Sequence, residues 1–338
     1  MNSLVCVEPG KWEYSQAEMP QRKEGEALLK ISCIGICGTD LHAFQGNQPF
    51  FSYPRILGHE FAAEVVEIDA NEYGISVGDR VTTIPYISCG KCVACRKGST
   101  NCCTDIAVLG VHTDGAMQDY LTVPASLLIK VNKLSNEETA LVECLSIGAH
   151  AVRRGNIQPG ERVIIAGAGP IGISALQFAQ ANGADVTMID INDDRLDYCR
   201  KEFGVNVINP LKEEVEKRIS ELTDGDMADV VIDATGNAKA MVQAIQFCGH
   251  SARLVYVGLN KGELSFLHTE IHKRELTVLC SRNATREDFL RVIECLENGS
   301  VRSSCMVTHY SSFNDLTDNF SEWLKTETGV IKAIVNMT

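Results

Sequence analysis

The chain has 338 residues, which is long enough for two domains that each bury a hydrophobic core. A formal net charge of −13, with 45% hydrophobic and 22% charged residues, argues against nucleic-acid or anionic-membrane partners. No apolar run approaches the ~20 residues of a membrane span and the N-terminus lacks an export signal, so we expect a cytoplasmic protein.

The N-terminal part predicts short strands followed by a first group of metal-ligating residues. Residues 1–32 alternate apolar and polar positions, as short strands do. Cys37 then lies in the stretch GICGTDLH, and His59 and Glu60 lie in the stretch GHE. Cysteine, histidine and glutamate all bind zinc, and a catalytic zinc keeps about three protein ligands and one open position. Taken singly, Cys37 is better explained as a buried thiol and His59 as a loop histidine, and the metal interpretation gains from the nucleotide motif and second cysteine cluster in the same chain.

A second group of cysteines predicts a structural zinc site at residues 89–103. The chain contains 14 cysteines, and without an export signal they are better explained as thiols or metal ligands than as disulfides. The spacing C-x2-C-x2-C-x7-C places four thiolates on one short lobe, as in closed tetrahedral zinc sites. The expected ligands are Cys89, Cys92, Cys95 and Cys103, with Cys102 as an alternative to Cys103. A strand, turn and second strand are expected over residues 108–123.

Residues 162–190 predict a dinucleotide-binding unit. A short buried strand leads into G-x-G-x-x-G, a helix follows, and a second strand ends at Asp190. Glycines at these positions allow a tight turn, a close approach of the backbone to a pyrophosphate, and close packing of helix on strand. Asp190 is placed to accept hydrogen bonds from the ribose and to repel a 2′-phosphate, which favours NAD over NADP. The expected cofactor residues are Gly167, Gly169, Pro170, Ile171, Gly172, Asp190 and Arg195.

Strands and helices alternate through the rest of the chain. An apolar helix is expected around residues 141–153, and buried strands at 229–233, 254–258 and 277–280. This alternation predicts a parallel, doubly wound sheet and an α/β fold class. The tail has a helical pattern from about residue 286 and a strand-like end at 331–335, which we expect to rejoin the first domain.

Together these motifs resemble the zinc-dependent medium-chain dehydrogenases over essentially the whole chain. The shared features are the GICGTD and GHE stretches, the four-cysteine lobe and the glycine fingerprint, in that order. The resemblance implies a β-rich catalytic domain with a GroES-like core at residues 1–146 and a Rossmann domain at 147–284. It also implies that residues 285–338 return to the catalytic domain.

Within this family, three stretches look closest to bacterial aldonate 5-dehydrogenases of the L-galactonate type. They are residues 46–55, 149–154 and 281–285. The implied reaction is oxidation of a secondary alcohol of a sugar acid, with hydride transfer to NAD. One position departs from the pattern, because polyol-type relatives usually have proline where this chain has Cys144. The third protein ligand of the catalytic zinc is therefore left open among Glu60, Glu143 and Cys144.

The resemblance also assigns a proton path beside the metal. The Thr39 hydroxyl would take the proton of the substrate alcohol, and His42 would pass it toward solvent. The carboxylate of Glu143 is counted with these catalytic residues. Asp40 would either accept a hydrogen bond from His59 and fix its tautomer, or cap a helix.

The substrate and assembly predictions rest on the end of the Rossmann domain. Arg282 could bind a substrate carboxylate through two parallel hydrogen bonds, with Asn283 beside it and His112 in the pocket wall. The strand at 277–280 would leave an unpaired sheet edge. In the family that the chain resembles, this edge pairs across a two-fold axis, which implies a homodimer or homotetramer. The alternative functions are a polyol or L-threonine dehydrogenase, or a non-catalytic NAD-binding redox sensor.

Overall fold

A computed structural model describes residues 1–48 and 51–337 of the protein. Within these residues the strands are β1 (Asn2–Glu8), β2 (Lys11–Gln16), β3 (Glu26–Ile36), β4 (Arg55–Ile56), β5 (Glu60–Ile68), β6 (Arg80–Thr83), β7 (Tyr86–Ile87), β8 (Ala107–Val108), β9 (Tyr120–Pro124), β10 (Leu128–Lys130), β11 (Arg162–Ala166), β12 (Asp185–Ile189), β13 (Asn206–Ile208), β14 (Ala228–Asp233), β15 (Cys248–Tyr256), β16 (Thr277–Cys280), β17 (Val307–Ser312) and β18 (Lys332–Asn336).

The helices of the same residues are α1 (Gly38–Phe44), α2 (Val93–Arg96), α3 (Asn136–Arg154), α4 (Pro170–Ala181), α5 (Asp193–Phe203), α6 (Val215–Leu222), α7 (Ala238–Phe247), α8 (His268–His272), α9 (Arg286–Asn298) and α10 (Leu316–Trp323). Short 3-10 helices cover Thr100–Cys102, Ala125–Leu127, Ser303–Cys305 and Thr326–Thr328. None of the helices in the described ranges is long and apolar enough to cross a membrane.

The chain divides into two compact units. The first unit consists of Met1–Cys144, Thr285–Asn298 and Met306–Thr338, and the second of Leu145–Ala284 and Gly299–Cys305. The predicted C-terminal segment 285–338 is therefore divided, because residues 299–305 group with the second unit.

The first unit is built on a mixed sheet with the strand order β10-β6-β5-β3-β18-β17, and β9 also pairs with β3. The long central strand β3 buries most of its side chains, and its C-terminal end leads directly to Cys37. Strand β18, from the tail, pairs antiparallel with this end of β3, with Ala333 opposite Ile36. The tail thus lies beside the first metal motif.

The second unit contains a six-stranded sheet with the order β13-β12-β11-β14-β15-β16, in which every neighbouring pair is parallel. This is the doubly wound order of dinucleotide-binding folds, so the predicted parallel sheet is confirmed. Strand β16 pairs only with β15 and forms one edge of the sheet.

Two predictions about local structure are corrected in detail. Strands lie at both ends of residues 108–123, but β8 pairs with β7 and β9 pairs with β3, so the two strands do not pair with each other. The connection packs instead against the segment before His59, where Ala116 N donates to Gly58 O at 2.9 Å. Helix α3 begins at Asn136 rather than near residue 141, because Ser135 and Glu138 form a reciprocal capping box.

Candidate active site and metal centres

Asp40 ties the two metal motifs of the first unit together. Cys37 is the N-cap residue of α1, and its backbone N–H donates to Asp40 Oδ2 at 2.9 Å. The other oxygen, Oδ1, accepts from Gly58 N at 3.2 Å, so Asp40 stabilises the loop that carries His59. Asp40 is therefore the third residue of the helix in a capping box and not its N-cap. Its Oδ1 lies 3.7 Å from His59 Nδ1, which is too far for a hydrogen bond but close enough for a charge interaction.

Cys37, which is half-buried, comes together with the buried residues His59 and Glu60 in one group. One donor atom of each residue lies within 4.8 Å of the other two. Donor atoms this close can bind one zinc, whose ligands lie about 2.0–2.3 Å from the ion, so the group matches a three-ligand site. His59 Nδ1 is buried without a hydrogen-bond partner and lies beside Asp40 Oδ1, which leaves Nε2 as the ring nitrogen for a metal. Burial disfavours protonated His59, but Asp40 and Cys37 more than offset this and raise its pKa well above the usual value.

Glu60 is also paired with a buried lysine that the sequence analysis missed. Lys332 Nζ lies 2.8 Å from both carboxylate oxygens of Glu60 and donates to Ile36 O at 3.1 Å. Both side chains are 1% exposed. Burial disfavours the ammonium, yet neighbouring Cys144 and Glu60 hold the pKa of Lys332 well above its usual value. The only signal in the sequence is a lysine inside the apolar run of β18, and 272 residues separate it from Glu60.

Gly35 is required for this arrangement because it makes room for the Glu60 carboxylate. A Cβ atom at Gly35 would lie 2.5 Å from Glu60 Oε2 and 3.6 Å from the carbonyl oxygen of Ala140. Helix α3 therefore passes next to Glu60 at Ala140. Glu143 follows one turn later on the same helix.

Glu143 and Cys144 are both buried near the metal group, but neither belongs to the set of three close donors. The hydroxyl of Tyr86 donates to Glu143 Oε1, a contact that the sequence analysis did not predict. Burial and the charge of Glu60 raise the pKa of Glu143 to about 7, although His59 and Tyr86 act in the opposite direction. Of the three alternatives for the third ligand, the geometry favours Glu60.

The proposed proton path starts on the helix that follows Cys37. Thr39 and His42 are three residues apart on α1, so their side chains lie on neighbouring positions of one face. Thr39 is half-buried and His42 is exposed. This order, from a partly enclosed hydroxyl to a solvated imidazole, is the one that a path toward solvent requires.

The four-cysteine lobe forms a second metal group. The sulfur atoms of Cys89, Cys92, Cys95 and Cys103 lie within 4.8 Å of one another. Cys92 Sγ is 3.5 Å from Cys95 Sγ and 3.9 Å from Cys103 Sγ. Four thiolates around one zinc at 2.3 Å would be about 3.8 Å apart, so the lobe fits a tetrahedral zinc. The alternative ligand Cys102 is exposed and outside this group.

Backbone groups of the lobe favour the thiolate form that a metal needs. The N–H groups of Cys95 and Thr104 lower the pKa of the Cys92 thiol to about 5. Strands β7 and β8 close the base of the lobe, with Tyr86 opposite Val108. The lobe thus begins directly after the strand that contains Tyr86.

The glycine loop of the second unit has the geometry of a pyrophosphate site. Gly167 has a φ of +103°, and Gly169 is the N-cap of α4 with Pro170 in its first turn. Gly172 packs so closely on Gly167 that a side chain would collide with its carbonyl oxygen. Ile171, between them, is half-buried. The bare N-terminus of α4 therefore faces the loop, where a phosphate would bind.

Asp190 and Arg195 flank this loop. Asp190 Oδ2 accepts from Ala168 N at 2.6 Å and Oδ1 accepts from Asn192 N at 2.8 Å. A carboxylate has about four lone-pair directions, so these bonds orient Asp190 and leave it able to accept from ribose hydroxyls as well. A Cβ at Gly169 would lie 4.0 Å from the Arg195 guanidinium, which places this cation beside the loop.

The predicted substrate residues come from both units. Arg282 is exposed and follows β16, and Asn283 next to it has a φ of +53°. His112 is also exposed, and its Nδ1 accepts from Val108 N at 3.1 Å in the first unit. Within the stretch 46–55, Pro49 and Phe50 lie outside the described residues.

Comparisons with known proteins agree with this geometry. Residues 23–133 match the alcohol dehydrogenase GroES-like domain, and residues 170–298 match the zinc-binding dehydrogenase domain. The L-galactonate-5-dehydrogenase of Escherichia coli K12 is 41% identical over 335 residues, covering 99% of this chain and 98% of that protein. The L-threonine 3-dehydrogenase of Pyrococcus horikoshii is 34% identical over 341 residues, covering 98% of this chain and 97% of that protein. The structure of the alcohol dehydrogenase rspB of E. coli CFT073, solved with NADH, has a TM-score of 0.92 at 29% identity. The match covers 100% of this chain and 99% of that chain.

A GroES-like unit with a buried cysteine–histidine–glutamate group, joined to a Rossmann unit, defines a zinc-dependent dehydrogenase. The chain belongs to the zinc-dependent medium-chain alcohol dehydrogenase family. It is an oxidoreductase that acts on CH–OH donors, with zinc and NAD as cofactors. The predicted fold class and enzyme class are confirmed.

Proposed function

We propose that the protein oxidises a secondary alcohol of a sugar acid, as an aldonate 5-dehydrogenase of the L-galactonate type. The observation that carries this proposal is the 41% identity to an L-galactonate-5-dehydrogenase over 99% of the chain. A weaker candidate is the oxidation of L-threonine, favoured by the 34% identity to an L-threonine 3-dehydrogenase over 98% of the chain.

The residues of the first unit would hold the metal and move the proton. Cys37, His59 and Glu60 would bind the catalytic zinc, and the four lobe cysteines the structural one. When bound, zinc supplies a Lewis acid for the substrate hydroxyl and NAD supplies the hydride acceptor. The Thr39 hydroxyl would accept the released proton while giving up its own, and His42 would pass a proton on to solvent, in the order of their exposure.

Preference for NAD over NADP rests on Asp190. Its carboxylate is held at the end of β12 by Ala168 N and Asn192 N, next to the pyrophosphate loop. In that position a fixed negative charge accepts from ribose hydroxyls and repels a 2′-phosphate. Arg195 lies beside the same loop, where a cation stabilises the pyrophosphate.

Recognition of the acid is assigned to Arg282, with Asn283 beside it and His112 as a further contact. Arg282 is exposed just past the carboxyl end of β16, and ligands of doubly wound sheets bind beyond these ends. A guanidinium binds a carboxylate through two parallel hydrogen bonds. An arginine in this loop therefore suits a substrate that carries a carboxylate.

The test is NADH formation by the purified protein with L-galactonate, other aldonates, sorbitol and L-threonine. We expect the highest kcat/KM with an aldonate. Arg282→Ala should lower this value roughly ten- to a hundredfold, because an arginine–carboxylate contact contributes about 1.5–3 kcal/mol. The same change should have little effect on sorbitol, which has no charge. A preference for sorbitol or L-threonine would refute the sugar-acid assignment, and equal losses on both substrates would remove Arg282 from it.

The assembly and location are proposals of the same kind. The exposed edge strand β16 supports at least a homodimer, since an unpaired edge is commonly covered by a second chain. Fourteen free cysteines suit a reducing compartment such as the cytoplasm.

A further inference from the structure

The Tyr86 hydroxyl forms a buried hydrogen bond beside the metal group. Tyr86 is 5% exposed and Glu143, its acceptor, is 4% exposed. The two residues come from different parts of the first unit, since Tyr86 begins β7 and Glu143 lies on α3. A hydrogen bond to a carboxylate is stronger than one between neutral groups, and its loss in a buried place is costly.

Glu143 stands next to the metal group without being one of its three close donors. The Glu60 carboxylate and the Ala140 carbonyl of helix α3 both lie close to Gly35, and Glu143 follows Ala140 by one turn. The charges of His59, Glu60 and Lys332 all act on Glu143. The carboxylate therefore lies among opposite charges, and its rotation decides which of them each oxygen faces.

The Tyr86 ring is held firmly enough to set that rotation. It packs edge-on against Phe289, with ring centroids 6.5 Å apart and an interplanar angle of 79°. Its backbone pairs with Val108 at the base of the four-cysteine lobe. The torsion of a glutamate carboxylate, in contrast, has no sharp minimum of its own and follows its hydrogen bonds.

We propose that Tyr86 is a positioning residue for the dehydrogenation, whose hydroxyl holds the Glu143 carboxylate in one orientation beside the group of Cys37, His59 and Glu60. Without the hydroxyl, the carboxylate rotates among its charged neighbours and spends less time in the orientation used during turnover. This inference rests on the zinc-dependent oxidation of an alcohol and not on the choice of a sugar acid, so any alcohol that the enzyme oxidises serves for the test.

The test is a double-mutant cycle on the zinc-loaded enzyme with Tyr86→Phe, Glu143→Ala and the double variant. Tyr86→Phe should lower kcat roughly tenfold, the effect of one lost hydrogen bond to a charged group, while KM changes less than about twofold. Glu143→Ala should lower kcat at least as much, and the double variant should match Glu143→Ala. Tyr14→Phe is the control, because its hydroxyl donates to Phe313 O at 2.6 Å elsewhere in the first unit. It should leave kcat unchanged.

Zinc release to a chelator gives a second readout that does not depend on turnover. Cys37→Ser cannot hold zinc at the group of Cys37, His59 and Glu60, so the phase of zinc release that is missing in this variant reports on that group. The rate of this phase should be higher in Tyr86→Phe than in the parent enzyme, and no higher in the double variant than in Glu143→Ala. An unchanged kcat in Tyr86→Phe, or losses that multiply in the double variant, would overturn the proposal. A tyrosine with only a structural role would lower the melting temperature and leave kcat and this phase unchanged.

Discussion

Replacing Lys332 by methionine keeps the length of the side chain and removes the ammonium that pairs with Glu60. Both oxygens of Glu60 lose a donor at 2.8 Å, and Ile36 O loses one at 3.1 Å. With both side chains 1% exposed, water has little access to replace these bonds. Breaking a buried ion pair by removing one partner costs about 3–5 kcal/mol. We therefore expect Lys332→Met to lower the free energy of unfolding of the first unit by about 4 kcal/mol in zinc-free protein.

Tryptophan fluorescence during urea unfolding measures this loss in the right part of the molecule. The chain has two tryptophans, Trp12 and Trp323, and both lie in the first unit. Lys325→Met is the matched control, because Lys325 pairs with Glu322 at the surface, where both side chains are at least half exposed. An exposed pair of this kind contributes at most ~1 kcal/mol.

Two further measurements separate charge from packing. With zinc bound, a second cation faces Glu60, so the loss caused by Lys332→Met should be smaller than in zinc-free protein. Adding Glu60→Gln removes the unpaired carboxylate and should recover most of the stability in the zinc-free form. The reasoning is refuted if Lys332→Met costs no more than Lys325→Met, or if Glu60→Gln recovers none of the loss.

Three further predictions follow from the two metal groups, the glycine loop and the sheet edge. Elemental analysis should find two zinc ions per chain, and a single zinc in the parent protein would eliminate one of the two sites. Cys37→Ser should remove one zinc and abolish turnover with the fold intact, whereas Cys92→Ser should remove the other zinc and lower the melting temperature. Asp190→Ala should lower kcat/KM for NAD and narrow the gap to NADP, and equal use of both cofactors by the parent would contradict the role of Asp190. Light scattering at micromolar concentration should give the mass of a dimer or larger assembly, because β16 leaves an open sheet edge, and a monomer would count against this expectation.

Local patterns were enough to predict the second unit. Its glycine loop, Asp190 and the strands other than β13 fall within short segments where spacing and hydrophobicity repeat, and the structure has the parallel sheet that they imply. The first group of metal donors was also visible, because Cys37 and His59–Glu60 lie in compact motifs. Patterns of this kind predict contacts between residues that are close in sequence.

The contacts that sequence reasoning missed join distant segments. Tyr86 meets Glu143 across 57 residues and Lys332 meets Glu60 across 272. Nothing near either residue marks it as a partner of a buried carboxylate. The partners of the two strands at 107–124 have the same origin, because β8 pairs with β7 and β9 with β3, and Ala116 N between them donates to Gly58 O. Choosing Glu60 over Glu143 as a metal donor likewise required the fold.

The distance along the chain between Glu60 and Lys332 has a consequence during synthesis. At roughly 5–20 residues per second, the ribosome needs on the order of 15–50 s to make the 272 residues that separate them. During that time the nascent first unit contains Glu60 but not yet Lys332, and burying the Glu60 carboxylate without its partner would cost several kcal/mol. Most of the second unit, Leu145–Ala284, is continuous and lies inside this interval. We therefore expect the nucleotide-binding unit to fold on the ribosome first, while the earlier-made catalytic unit stays open for chaperones until β18 emerges.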